Sequence, residues 1–91
     1  MLIALIARDK PGALETRKAN RDAHLGYIEA TGVVEQAGPL LDAKDQMIGS
    51  LVILDVPDMA AAQAWADNDP YAQAGLFQSV DLIPWKRVIQ R

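Results

Sequence analysis

Apolar positions along the chain fall in short runs separated by charge and turn residues. Leu2-Ile3-Ala4-Leu5-Ile6-Ala7 is unbroken until Arg8-Asp9-Lys10 and Pro11-Gly12 stop it, a length that fits a buried strand. From Ala13 to Thr31 the chain is rich in Ala, Leu, Glu, Arg and Lys and has no Pro. Gly32 follows where a helix-ending glycine belongs, so this stretch predicts a helix. At about 100° per residue, Leu14, Leu25 and Ile28 share a stripe, Arg21 falls inside it, and Arg17 and His24 lie on its edge. Val33 to Leu41 predicts a second strand that Gly38-Pro39 interrupts, and a proline there implies a sheet edge or a bulge. Asp42-Ala43-Lys44-Asp45 is a polar turn, and Met47 to Val56 is a third strand. Asp58 caps a second helix in which Met59, Ala62, Trp65 and Ala66 recur at helical spacing, with Trp65 read as core. Asp69-Pro70 starts a short helix, the aspartate as cap and the proline where its missing N–H costs nothing; Gly75 ends it. Phe77 to Ile89 predicts a long last strand kinked near Pro84.

The resulting order, β-α-β-β-α-β, predicts an α+β, ferredoxin-like single domain over residues 1–91. Right-handed crossovers and a central hairpin give a four-stranded antiparallel sheet with both helices on one face. In the third strand both alternating sets are largely apolar: Ile48, Val52, Leu54 and Val56 on one side, Leu51 and Ile53 on the other. An open sheet with helices on one face should be polar on the other. A second copy of the sheet is the natural cover, so the sequence predicts a homodimer of C₂ symmetry, with higher oligomers open.

Composition narrows the function. The chain has 91 residues, 51% hydrophobic and 23% charged, the profile of a packed domain. A chain this short is marginal alone unless stapled or oligomeric. It has no Cys and one His, so disulfides, thiolate metal sites and Cys nucleophiles are ruled out; no metal site and no cofactor is expected. A net charge of −3 argues against nucleic acid as a partner. No apolar run approaches the roughly 20 residues of a membrane span, and the first residues lack the basic flank of a signal peptide. The expectation is a soluble cytoplasmic protein with no membrane partner.

His24 is the one side chain that titrates near neutrality without help. It suits a general base, and Arg21 and Arg17, one and two turns earlier, suit an anionic substrate group. Asp69 is either a simple helix cap or the carboxylate that orients His24. Backbone N–H groups just after Asp69 are candidates to stabilise an enolate. Ser50 is the one hydroxyl in the third strand; with no base aimed at it, a nucleophilic role is disfavoured. Gly38 and Pro39 shape a pocket rim or end a pairing, and Tyr71 lines a pocket or packs on the sheet end. Asp67 and Asp69 sit too near a helix boundary for a hydrolytic pair. Glycine-rich phosphate loops, serine elbows and metal-binding His pairs are absent.

Several segments together resemble the YCII-related (YciI-like) family: Asp9-Lys10-Pro11-Gly12, Arg21-Asp22-Ala23-His24-Leu25, Ala37-Gly38-Pro39-Leu40-Leu41, Gly49-Ser50-Leu51, the run Asp67 to Phe77 around Asp69-Pro70-Tyr71, and Pro84-Trp85. The resemblance spans essentially the whole chain. It implies a dimeric α+β barrel built on the ferredoxin-like unit, similar in architecture to muconolactone isomerases. It also implies a His–Asp catalytic pair, His24 and Asp69, and a branch that dehydrochlorinates a muconolactone-type intermediate.

Two classes of function follow. One is a metal-independent lyase or isomerase: His24 takes a proton next to a carbonyl, Asp69 steadies the imidazolium, and Arg17 or Arg21 holds a small anionic metabolite, with Ser50, Gly38, Pro39 and Tyr71 shaping the pocket. A variant makes His24 a nucleophile that carries a phosphoryl group. The other class is a non-catalytic metabolite-binding or accessory module in which His24 and Asp69 are structural.

Overall fold

A computed structural model describes all residues, Met1–Arg91. The elements run β1 (Leu2–Asp9), α1 (Leu14–Ala19), α2 (Arg21–Thr31), β2 (Val34–Leu41), β3 (Met47–Asp55), α3 (Met59–Asn68), α4 (Pro70–Gln73) and β4 (Phe77–Pro84). The sheet order is β2-β3-β1-β4 and every neighbouring pair is antiparallel, the α+β ferredoxin-like arrangement.

Alternation along β1 and β3 decides what each face of the sheet does. Ile3, Leu5 and Ala7, with Val52, Leu54 and Val56, point to the helices and pack with Ala62, Trp65 and Ala66. Fully burying a side chain such as Leu5 contributes about 1.5–3 kcal/mol. Ile48 is in phase with these residues but stays exposed. On the opposite face Ala4 and Ile53 are covered by their neighbours, while Leu51, Ile83 and Trp85 are exposed, Leu51 and Trp85 lining a shallow hollow of about 520 Å³.

The local signals act as their chemistry requires. Asp58 caps α3 by accepting from the Ala61 N–H at 2.8 Å. Asp42 closes the β2–β3 turn by accepting from the N–H groups of Lys44 and Gln46. Pro39 lies on β2, an edge strand whose register against β3 shifts twice. Gly32, at φ 66°, ends α2 in the left-handed conformation that glycine adopts without cost.

Two expectations are corrected. The helix predicted from Ala13 to Thr31 is two helices, broken at Asn20, whose side-chain amide donates to the Thr16 carbonyl oxygen at 2.9 Å. A short polar side chain that bonds backbone competes with helix continuation. The last strand stops at Pro84 and does not reach Ile89: the Trp85 N–H still donates to the Leu2 carbonyl oxygen at 3.0 Å, but β1 begins at Leu2 and offers no partner beyond it.

Candidate active site

The break at Asn20 also changes which face of the first helical segment is covered. The predicted stripe had Leu25 and Arg21 facing inward; both are exposed. Arg17 and His24, placed on the edge, are the buried residues of α1 and α2 at 3% and 6% exposure.

His24 and Asp69 meet. Nδ1 of His24 lies 2.8 Å from Oδ1 of Asp69, and Asp69 is 1% exposed. The same Oδ1 accepts from the Tyr71 N–H at 3.0 Å, so one carboxylate caps α4 and fixes the imidazole. That bond takes up the Tyr71 N–H, one of the backbone groups expected to be available to an enolate. With Nδ1 on a carboxylate, the ring is held with its proton on Nδ1 and its Nε2 lone pair available. Nε2 has no protein partner. Since no buried polar side-chain atom is left unpaired, this nitrogen meets solvent in the cavity beside it.

Tyr71 joins the imidazole to a second buried cluster. Its ring stacks on His24 at 3.9 Å between centroids and 12° between planes, and the Arg17 guanidinium lies 4.7 Å from the same ring centroid. Burial pushes the Tyr71 phenol above the ordinary tyrosine value of 10.0; the Arg17 and Arg21 charges pull against that shift, and Asp69 adds to it. Arg17 binds Asp9 through two contacts, Nε to Oδ2 at 2.7 Å and Nη2 to Oδ1 at 2.9 Å, and Nη2 also donates to Ser50 Oγ at 2.8 Å. Such two-point pairing is the strong form of an arginine–carboxylate contact.

Arg17, Arg21, His24, Gly38, Pro39, Ser50 and Tyr71 all line one cavity of about 260 Å³, together with Leu25, Ile28, Ala37, Met47 and Val52. Asp69 stands behind His24, bonded to it. The cavity is smaller than the roughly 300–1,000 Å³ of drug-sized sites, a scale that fits a single ring. Arg21 makes no ion pair, whereas the charge of Arg17 is offset by Asp9. Sequence reasoning missed Asp9 as part of this cluster. Its signal was the alternation itself: Asp9 shares the phase of Ile3, Leu5 and Ala7, and an acid on a core-facing position needs a cation. No three His, Asp or Glu side chains converge as a metal set would.

Fold and site define a small ferredoxin-like α+β domain with a buried His–carboxylate pair at a one-ring cavity. The chain belongs to the YCII-related family, whose domain model matches residues 1–86. Protein YciI of Escherichia coli O6:H1 is 39% identical over 97 aligned positions, covering 97% of this chain and 99% of that protein. An uncharacterized protein of Haemophilus influenzae is 34% identical with the same coverage. Among solved structures, the 5-chloro-2-hydroxyhydroquinone dehydrochlorinase TftG of Burkholderia phenoliruptrix AC1100, in complex with 2,5-dihydroxybenzoquinone, has a TM-score of 0.88 at 33% identity over 94% of each chain.

Proposed function

We propose that this chain is a lyase or isomerase that removes a proton from a small hydroxylated ring compound or its keto form, with His24 as general base. The observation that carries the reading is the 2.8 Å contact between His24 Nδ1 and a nearly water-free Asp69, which leaves Nε2 as the basic nitrogen at the cavity. Nε2 takes a proton from a substrate hydroxyl or from the carbon beside a carbonyl. The electron pair shifts through the conjugated system. An anionic leaving group such as chloride departs, for a net loss of HCl, or the proton returns at another carbon and the substrate is isomerised. Arg21, unpaired at the cavity, is the cation that attracts the substrate's acidic oxygen.

The kinship with a dehydrochlorinase that holds 2,5-dihydroxybenzoquinone supports a planar, oxygen-rich ring as the substrate class. The exposed apolar face around Leu51, Ile83 and Trp85 supports pairing with a second copy of the chain. The deciding experiment follows chloride release from 5-chloro-2-hydroxyhydroquinone by the wild type and by His24→Ala. The expected result is acceleration by the wild type and a loss of about 10²-fold or more in the variant. Equal rates in the two proteins overturn catalysis by His24 and leave a ligand-binding module.

A further inference from the structure

Proton removal places negative charge on a substrate oxygen, and an effective site presents a donor to that oxygen. The first N–H of α4 is committed to Asp69. Arg17 is pinned by Asp9 at two points and cannot turn into the cavity without breaking both. Arg21 supplies attraction from an exposed position, and among the buried side chains of the cavity a donor is offered by a hydroxyl. Ser50 lies on β3 in phase with Val52 and Leu54, an isolated hydroxyl on a core-facing row, 3% exposed and lining the same cavity as His24. Its oxygen accepts from Arg17 Nη2 at 2.8 Å, and its own hydrogen has no acceptor in the protein. A hydroxyl that accepts a hydrogen bond from a cation becomes a stronger donor, since chained hydrogen bonds polarise one another.

We propose that Ser50 donates a hydrogen bond to the substrate oxygen on which charge develops, with Arg17 and Asp9 as its positioning residues. The chain Asp9–Arg17–Ser50 is a second relay beside Asp69–His24: one ends in a base, the other in a donor. Ser50 is not a nucleophile in this arrangement. His24 makes no hydrogen bond to it, and its neighbour Arg17 cannot accept a proton. The ligand class this pair selects is a ring that carries an acidic hydroxyl or enolate oxygen. The inference rests on the general-base reading above and adds the electrophilic half of the site.

The test titrates the protein with 2,5-dihydroxybenzoquinone and reads the quenching of tryptophan fluorescence. Wild type is compared with Ser50→Ala, which deletes the donor, and Ser50→Thr, which keeps it; thermal melts confirm that both variants fold. The expected result is a loss of affinity of about tenfold or more in Ser50→Ala, the scale of a hydrogen bond to a charged group, with most of the affinity retained in Ser50→Thr. Equal affinity of wild type and Ser50→Ala overturns the role of Ser50 and leaves His24 as base untouched. Absence of binding by the wild type overturns both the substrate class and the inference built on it.

Discussion

Arg17 and Asp9 form a two-point ion pair with side chains only 4% and 6% exposed. It joins the end of β1 to α1, and through Ser50 it reaches β3. Removing one partner strands a buried charge, which costs about 3–5 kcal/mol in comparable pairs. Asp9→Ala therefore lowers the midpoint of urea unfolding sharply. The double variant Asp9→Ala/Arg17→Met, with no charge left to strand, recovers part of the loss. A double variant no more stable than Asp9→Ala would show that the pair acts through something other than charge compensation.

Asp69 has two duties that different substitutions separate. Asp69→Asn keeps a carbonyl oxygen for the Tyr71 N–H, so the start of α4 holds. It removes the negative charge that fixes the proton on Nδ1. The expected outcome is a melting temperature near that of the wild type and a loss of about 10²–10⁴-fold in turnover. Nitrogen NMR of the single histidine reads the tautomer directly, and an unchanged Nδ1 signal in Asp69→Asn would contradict this account.

Both tyrosines resist ionisation. Tyr27, which donates to the Trp65 carbonyl oxygen at 2.8 Å, is raised by burial and then by the charge of Asp69; Tyr71 is raised mainly by burial. A raised value means that the folded state holds its proton more tightly than the unfolded chain does. Stability is thus undiminished below the ordinary tyrosine value of 10.0 and falls as pH climbs from there through the raised values. Unfolding free energy measured from pH 8 to 12 should decline on the alkaline side, and Tyr71→Phe should flatten that limb.

The apolar sheet face predicts an association that one charge disrupts. Leu51 points away from the helices, so Leu51→Glu spares the core and places a carboxylate in the middle of that face. Sedimentation of the wild type should give twice the mass of the variant. A wild type that sediments as a single chain removes the proposed pairing.

Much of this was legible because each signal was local. Asp58 and Asp69-Pro70 announce helix starts by side-chain chemistry that needs no partner elsewhere. The strand order followed from the sequence of apolar runs, and His24 with Asp69 came from side chemistry and family resemblance together. What was hidden depended on distant contacts. Asn20 carries no strong stop signal, yet its break turns Arg17 and His24 inward and leaves Leu25 outside. The partnership of Asp9 with Arg17 spans a turn whose path the sequence does not specify. Arg17 looked like a free cation because the acid that neutralises it sat in a different element.

Ala37, Gly38 and Pro39 on β2 wall both the cavity of His24 and the apolar hollow on the other side of the sheet. Three residues of one edge strand thus serve as a shared partition. Register sets which side each position serves: Ala37 and Pro39 lie opposite Val52 and Ser50 on the cavity side and Gly38 lies opposite Leu51 on the hollow side, so moving this strand for one compartment moves it for the other. Variants selected for a new ligand at this rim should carry altered oligomer stability as a by-product.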